Sequence, residues 1–166
     1  MAVPGASSGD RVTRAWAVLH GVLDPEVPAI SVTDLGIVRD VIEHGDELEV
    51  LVTPTYSGCP ATEVIAQSVR DAFIAAELGE VTVSRRLAPA WTTDWISDPG
   101  RRKLREHGIA PPGGVSETIR IRPRRIDCPR CGSSDTERLS AFGSTACKAL
   151  HRCLACREPF EHFKPL

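Results

Sequence analysis

The sequence has no apolar run longer than five residues, the longest being 15–19 and 72–76, whereas a membrane-spanning helix needs about 20. Its first ten residues, MAVPGASSGD, have neither a basic start nor an apolar stretch, so no secretory signal is expected. The cytoplasm is the expected compartment. Nucleotide chemistry is not indicated either, because there is no Gly-rich phosphate loop ending in Lys-Ser/Thr and no dinucleotide fingerprint. No Glu-x-x-His pair occurs, which excludes a carboxylate-bridged di-iron oxygenase, and no specific Ser/His/Asp hydrolase set can be assembled. What remains reads as a carrier or assembly factor more than an enzyme.

Charge and cysteine are unevenly spread along the 166 residues. The formal net charge of −2 hides an acidic first part and a basic second one: residues 1–100 hold 6 Lys and Arg against 15 Asp and Glu, residues 101–166 hold 14 against 7. One of the six cysteines, Cys59, precedes residue 127 and five follow it. Two domains are therefore expected, 1–114 and 115–166, meeting near the Gly/Pro-rich stretch 108–114. In a reducing compartment these cysteines read as metal ligands or reactive thiols, not disulfides.

The first part reads as an α+β domain with a small sheet covered by helices. Asp10 can cap a helix that carries Val12, Trp16, Leu19 and Leu23 at helical spacing. The prolines of Asp24-Pro-Glu-Val-Pro28 exclude a helix there. Residues 37–42 and 47–53 are β-rich and separated by His44-Gly-Asp46, which predicts a hairpin with Leu48, Val50 and Val52 on one face. A turn then leads to Cys59, to Pro60 in a first helical turn, and to a helix with Val64, Ile65, Val69, Ala72, Phe73 and Ala76 on its apolar side. Val81, Val83 and Leu87 suggest a third strand, and the helix-strand-strand-helix-strand order suits an antiparallel sheet.

From Ile126 about forty residues remain, near the size at which a domain needs a metal or disulfides. Cys128-Pro-Arg-Cys131-Gly132 and Cys153-Leu-Ala-Cys156 are two knuckles with 21 residues between them. Two thiolate pairs on tight turns can converge on one tetrahedral ion, and the spacing is that of a zinc ribbon with a structural Zn²⁺. Gly132 supplies the backbone freedom such a turn uses. Short β-rich pieces surround Leu139, Leu150 and Phe160, and an unligated flexible tail would leave Phe142, Phe160 and Phe163 exposed. Four cysteines can equally hold one iron or an iron–sulfur cluster, which spacing does not separate from zinc. Cys147 is a spare thiol that reads either as an additional ligand or as a small buried residue. His151 and His162 lie near enough to serve as alternative ligands too, and their plainer reading is a surface or packing role.

Cys59 lies in Thr53-Pro-Thr-Tyr-Ser-Gly-Cys-Pro-Ala61, at the N-terminal edge of the second helix. Free amides and the helix dipole there favour a thiolate, an anion or a cluster sulfide; the plainer reading is a buried filler residue. Thr55, Tyr56 and Ser57 add hydroxyls to the same loop. Asp24, Glu26 and Asp34 sit in turns that could converge on this end, or serve only as turn formers and caps.

Asp24-Pro-Glu26, Asp34-Leu-Gly-Ile-Val38 and the segment 53–61 together resemble the iron–sulfur assembly family that includes SufT-like proteins. Pro89-Ala-Trp-Thr-Thr-Asp-Trp95, Gly108-Ile-Ala-Pro-Pro112, Phe142-Gly-Ser-Thr-Ala-Cys-Lys-Ala-Leu150 and Glu158-Pro-Phe160 narrow the likeness to the PaaD (PaaJ) family of the phenylacetyl-CoA epoxidase system. The resemblance runs from about Val12 to Lys164. It implies an accessory subunit of a multicomponent monooxygenase of aerobic phenylacetate degradation, which assists assembly or iron and iron–sulfur maturation of the oxygenase. The implied partners are the epoxidase subunits and the iron–sulfur assembly machinery. Cys59, with Asp24, Glu26, Asp34 and Thr55, matches the motif positions for handling iron or a transient cluster. Cys128, Cys131, Cys153 and Cys156 would hold the ribbon metal, and Trp91 to Trp95 would contact a partner or fill the core. Where many relatives have a further cysteine near the C-terminus, this chain has Lys164-Pro-Leu166.

Two other classes stay open. An electron-transfer subunit requires redox-active iron in the ribbon, and Zn²⁺ has no redox chemistry. A nucleic-acid-binding ribbon could use the basic run Arg120, Arg122, Arg124 and Arg125, for which a linker arm or a docking strand is the plainer account.

Overall fold

The computed structural model of the chain describes residues 8–56, 58–113 and 125–166. Ser57, Arg120, Arg122 and Arg124, singled out above, lie outside these residues. The chain groups into two compact units, one up to Trp91 and one from Thr92 to Leu166.

In the first unit, α1 (Ser8–Leu19) places Asp10 in its first turn and buries Ala15 and Leu19 fully. Trp16 and Val12, expected on the apolar face, are half-buried, and Leu23 lies beyond the helix and is exposed. Arg11 ties the helix to the hairpin that follows: it donates to Glu43 Oε1 at 3.0 Å, to the Gly45 carbonyl at 3.2 Å and to the Asp46 carbonyl at 2.9 Å. Strands β1 (Val38–His44) and β2 (Glu47–Val52) form the antiparallel hairpin, with Gly45 of its turn at φ 63°. A positive φ at that place suits glycine, which has no Cβ to clash. Leu48, Val50 and Val52 are all within 1% of complete burial, as their alternation predicts.

Helix α2 (Ala61–Ala75) turns Ile65, Ala66, Val69 and Phe73 inward, and each large side chain contributes roughly 1.5–3 kcal/mol of apolar burial. Val64, expected on that face, is exposed at the helix surface because it lies one position round from Ile65. Strand β3 (Val81–Arg85) pairs with β2 in parallel, Val50 opposite Val83, giving the sheet order β1-β2-β3. The small sheet is antiparallel-containing as expected, but mixed where the element order had suggested an antiparallel one: α2 carries the chain back along the sheet, so β3 runs the same way as β2. The α+β class stands.

The second unit opens with a 3₁₀ turn, Thr93–Trp95, and α3 (Asp98–Glu106). Ser97 Oγ accepts the Gly100 amide at 3.0 Å and so caps α3. Arg101 clamps the helix by donating to the carbonyls of Thr93 at 2.7 Å and Pro112 at 2.6 Å. Strands β4 (Ile109–Ala110), β5 (Thr136–Ser140), β6 (Lys148–Cys153) and β7 (Pro159–Phe163) make a sheet in the order β4-β7-β6-β5. Because β4 pairs with β7, the segment 92–113 packs with the second unit, although its sequence suggested the first domain. Phe160 and Phe163 are buried as expected; Phe142 is 64% exposed, contrary to the expectation that the ribbon would cover it. No helix among the described residues is long and apolar enough to cross a membrane.

Candidate metal centre and the Cys59 loop

The two knuckles meet at one point. Cys128 and Cys156 Sγ are 3.8 Å apart, Cys131 and Cys153 Sγ are 3.6 Å apart, and all four sulfurs lie within 4.8 Å of one another. Sulfurs of a tetrahedral zinc–thiolate site with bonds of about 2.3 Å stand about 3.8 Å apart, so this donor set fits Zn²⁺ closely. The knuckles are built by short-range backbone bonds. Cys128 N donates to Ser133 O and Gly132 N to Cys128 O, both at 2.9 Å, and Cys153 N donates to Glu158 O at 3.0 Å. Ala110, Cys128, Cys153 and Phe160 form a buried cluster with Ile126 and Cys156 packed against it, which makes the centre the core of the ribbon.

The thiols are unequal before a metal binds. The Cys156 amide, donating towards Cys153 Sγ at 3.5 Å, is the main reason the Cys153 pKa is lowered to about 7. The Glu158 amide favours a Cys156 thiolate, but burial and the bonds to Cys153, Cys131 and Cys128 outweigh it and raise that thiol to about 12. Ligation by thiolate means that the protons these sulfurs hold leave when a divalent ion enters. The bound ion would close the knuckles and supply no redox chemistry if it is zinc.

Cys147 is buried, its carbonyl accepting the Lys164 amide at 2.9 Å and its Sγ lying 3.0 Å from Thr145 Oγ1. It is not among the four converging sulfurs. His151 and His162 are both buried, with ring centroids 5.5 Å apart, so they pack inside the ribbon and not on its surface. Burial, with help from the Arg138 charge, holds His151 below the ordinary histidine pKa.

In the first unit, Cys59 is half-buried in the loop before α2. Its amide donates to Tyr56 O at 3.1 Å, and its carbonyl accepts both the amide and the hydroxyl of Thr62, at 3.3 and 2.9 Å. Thr62, which sequence reasoning missed, therefore pins the cysteine to the first turn of the helix. Thr55 is half-buried, and the buried Thr53 Oγ1 at the head of the same loop has no hydrogen-bond partner among the described residues. Asp24 Oδ1 accepts the amides of Glu26 at 2.9 Å and Val27 at 2.8 Å, which is the turn-forming role. Asp34 is buried, its amide donating to Ser31 Oγ at 3.1 Å, and Glu26 is half-buried. Among the described residues, the four ribbon cysteines are the group of three or more such donors that converges; Cys59 and the carboxylates make no second one. Trp91 is buried and donates from its indole to Leu35 O at 3.0 Å, a core role.

Comparison with known proteins gives each unit a class. Residues 13–84 match the family described as iron–sulfur cluster assembly protein, and residues 113–164 match the PaaD zinc beta ribbon domain. A solved domain of unknown function from Bacillus anthracis shares 26% identity and a TM-score of 0.54, over 59% of this chain and 94% of that one. A conserved hypothetical protein of Thermotoga maritima is also 26% identical, over 62% of this chain and 98% of that one, with a TM-score of 0.47. The chain thus unites an iron–sulfur assembly domain with a zinc ribbon. An Escherichia coli K12 protein, provisionally named as one of the subunits of 1,2-phenylacetyl-CoA epoxidase, is 49% identical over 154 residues, 93% of each chain. The chain belongs to the PaaD family.

Proposed function

We propose that this chain is an accessory subunit of a phenylacetyl-CoA epoxidase that assists assembly of the oxygenase or maturation of its iron or iron–sulfur centres. The observation that carries the reading is the union, in one chain, of an iron–sulfur assembly domain with near full-length likeness to a protein named as an epoxidase subunit. Its partners are the other epoxidase subunits and the iron–sulfur assembly machinery, in the cytoplasm. In this reading Cys59 holds the cargo, iron or a cluster, transiently. The half-buried sulfur stands beside the opening of α2, the end of a helix that favours a bound anion or sulfide. In the same reading Asp24, Glu26, Asp34 and Thr55 are its companion residues in handling the cargo. Zn²⁺ in the ribbon is structural, and a ribbon that carries zinc excludes the electron-transfer reading.

The test is the iron and acid-labile sulfide content of the oxygenase matured with the wild-type chain or with Cys59→Ser. A client that fills with iron only beside the wild type supports the reading. Equal filling by the variant rejects Cys59 as the handling residue. Iron and sulfide bound by the variant's ribbon would instead favour electron transfer.

A further inference from the structure

The loop between β5 and β6 exposes one aromatic side chain while its backbone is held at successive residues. Phe142 N donates to Ser140 Oγ at 3.2 Å, Gly143 N to Lys148 O at 2.8 Å and Ser144 N to Glu161 Oε1 at 2.5 Å. Glu161 is itself fixed by the buried Lys148 ammonium at 2.9 Å. Lys164 closes the loop from the other side, its Nζ bonded to Ala141 O at 3.2 Å and lying 4.4 Å from the centre of the Phe142 ring. A Cβ at Gly143 would meet Glu161 Oε1 at 2.5 Å, so a side chain there would push the Glu161 carboxylate out of place.

Burying the Lys148 ammonium beside a half-buried carboxylate costs desolvation, so this brace is a costly way to hold a surface loop. What it holds is Phe142, 64% exposed, close along the chain to Leu139, 50% exposed on edge strand β5. A rigid, solvent-facing aromatic whose backbone is already fixed loses little entropy on binding, which is how an interface anchor gains affinity. The charge against it is positive: Lys164 lies on the ring, and Arg138, four residues earlier on β5, is exposed with no ion pair among the described residues. Of the nearby carboxylates, Glu161 is neutralised by Lys148 and Glu137 by Arg152.

We infer that Phe142 is the anchor of a protein–protein interface and inserts into an apolar pocket, rimmed by carboxylates, on a subunit of the oxygenase. The identity of that partner rests on the function proposed above. A symmetric contact between two copies of this loop would bring positive charge against positive charge. A nucleic-acid base would have to stack on a ring that already has Lys164 over one face.

The test uses the full-length, zinc-loaded chain and measures its affinity for each purified epoxidase subunit, alongside single-stranded DNA and RNA and its own dimerisation. Phe142→Ala should weaken binding to one subunit by about tenfold or more, with zinc content and melting temperature unchanged. Lys164→Glu should weaken the same binding, most strongly at low salt. Wild type and Phe142→Ala binding that subunit equally would overturn the inference and leave the proposed function standing. A wild-type chain that binds no epoxidase subunit would overturn both. Phe142-dependent binding to nucleic acid, or Phe142-dependent dimerisation alone, would overturn the protein-pocket assignment.

Discussion

Gly132 and Arg157 occupy the same place in the two knuckles of the ribbon, each directly after the second cysteine, with φ of 76° and 68°. The first knuckle takes this left-handed turn with a residue that adopts it freely. The second does so with a side chain that opposes it. Arg157→Gly should therefore raise the stability of the ribbon by about 1 kcal/mol, and Gly132→Ala should lower it by about 1–2 kcal/mol. Denaturant midpoints at fixed zinc concentration check both, and a stabilising Gly132→Ala would refute the argument.

The four sulfurs should bind one zinc per chain, and removing it should unfold the ribbon, since metal binding to such a site supplies folding free energy. A strong chelator, or Cys128→Ser, is expected to open the chain beyond Ile126 to protease while strands β1 to β3 stay protected. Digestion followed by mass spectrometry reads the outcome; unchanged resistance beyond Ile126 would mean that apolar packing alone holds the ribbon.

Glu161 and Lys148 should be the most pH-sensitive structural pair. Burial works against the Glu161 carboxylate, but the Ser144 amide and the Lys148 ammonium outweigh it and hold its pKa below the ordinary 4.5. A carboxyl lowered on folding adds stability above its unfolded pKa and loses it as pH falls through the folded value. The pair's contribution should thus be complete above about pH 5 and fade below about pH 4. Glu161→Gln, which strands the Lys148 charge, should cost about 3 kcal/mol near neutral pH and much less in acid below the carboxyl's folded pKa, read from urea midpoints.

Thr53 carries a buried hydroxyl without a partner among the described residues, and such a group normally destabilises by about 1 kcal/mol or more. Thr53→Val keeps the shape and removes the hydroxyl, so it should raise the stability of the first unit by about 1 kcal/mol. If the hydroxyl serves the Cys59 loop, the same variant should also lower iron delivery to the oxygenase. Stability unchanged or reduced would show that Thr53 Oγ1 is already satisfied.

The sequence by itself determined what depends on neighbours along the chain. The spacing of Cys128, Cys131, Cys153 and Cys156 fixed the metal site, since two short turns constrain their own sulfurs. The alternation of Leu48, Val50 and Val52 fixed the buried face of β2, and the motif around Cys59 fixed its place before α2. Only the tertiary structure decided what depends on distant pairing. That β3 runs parallel to β2, and that Ile109 and Ala110 join the ribbon sheet through β7, follows from contacts no local pattern records. The ion pair of Lys148 with Glu161 likewise comes from the pairing of β6 with β7. Phe142 reads as core until the loop they brace turns it outward, because which side of a sheet a loop presents is settled by its partners and not by its own hydrophobicity.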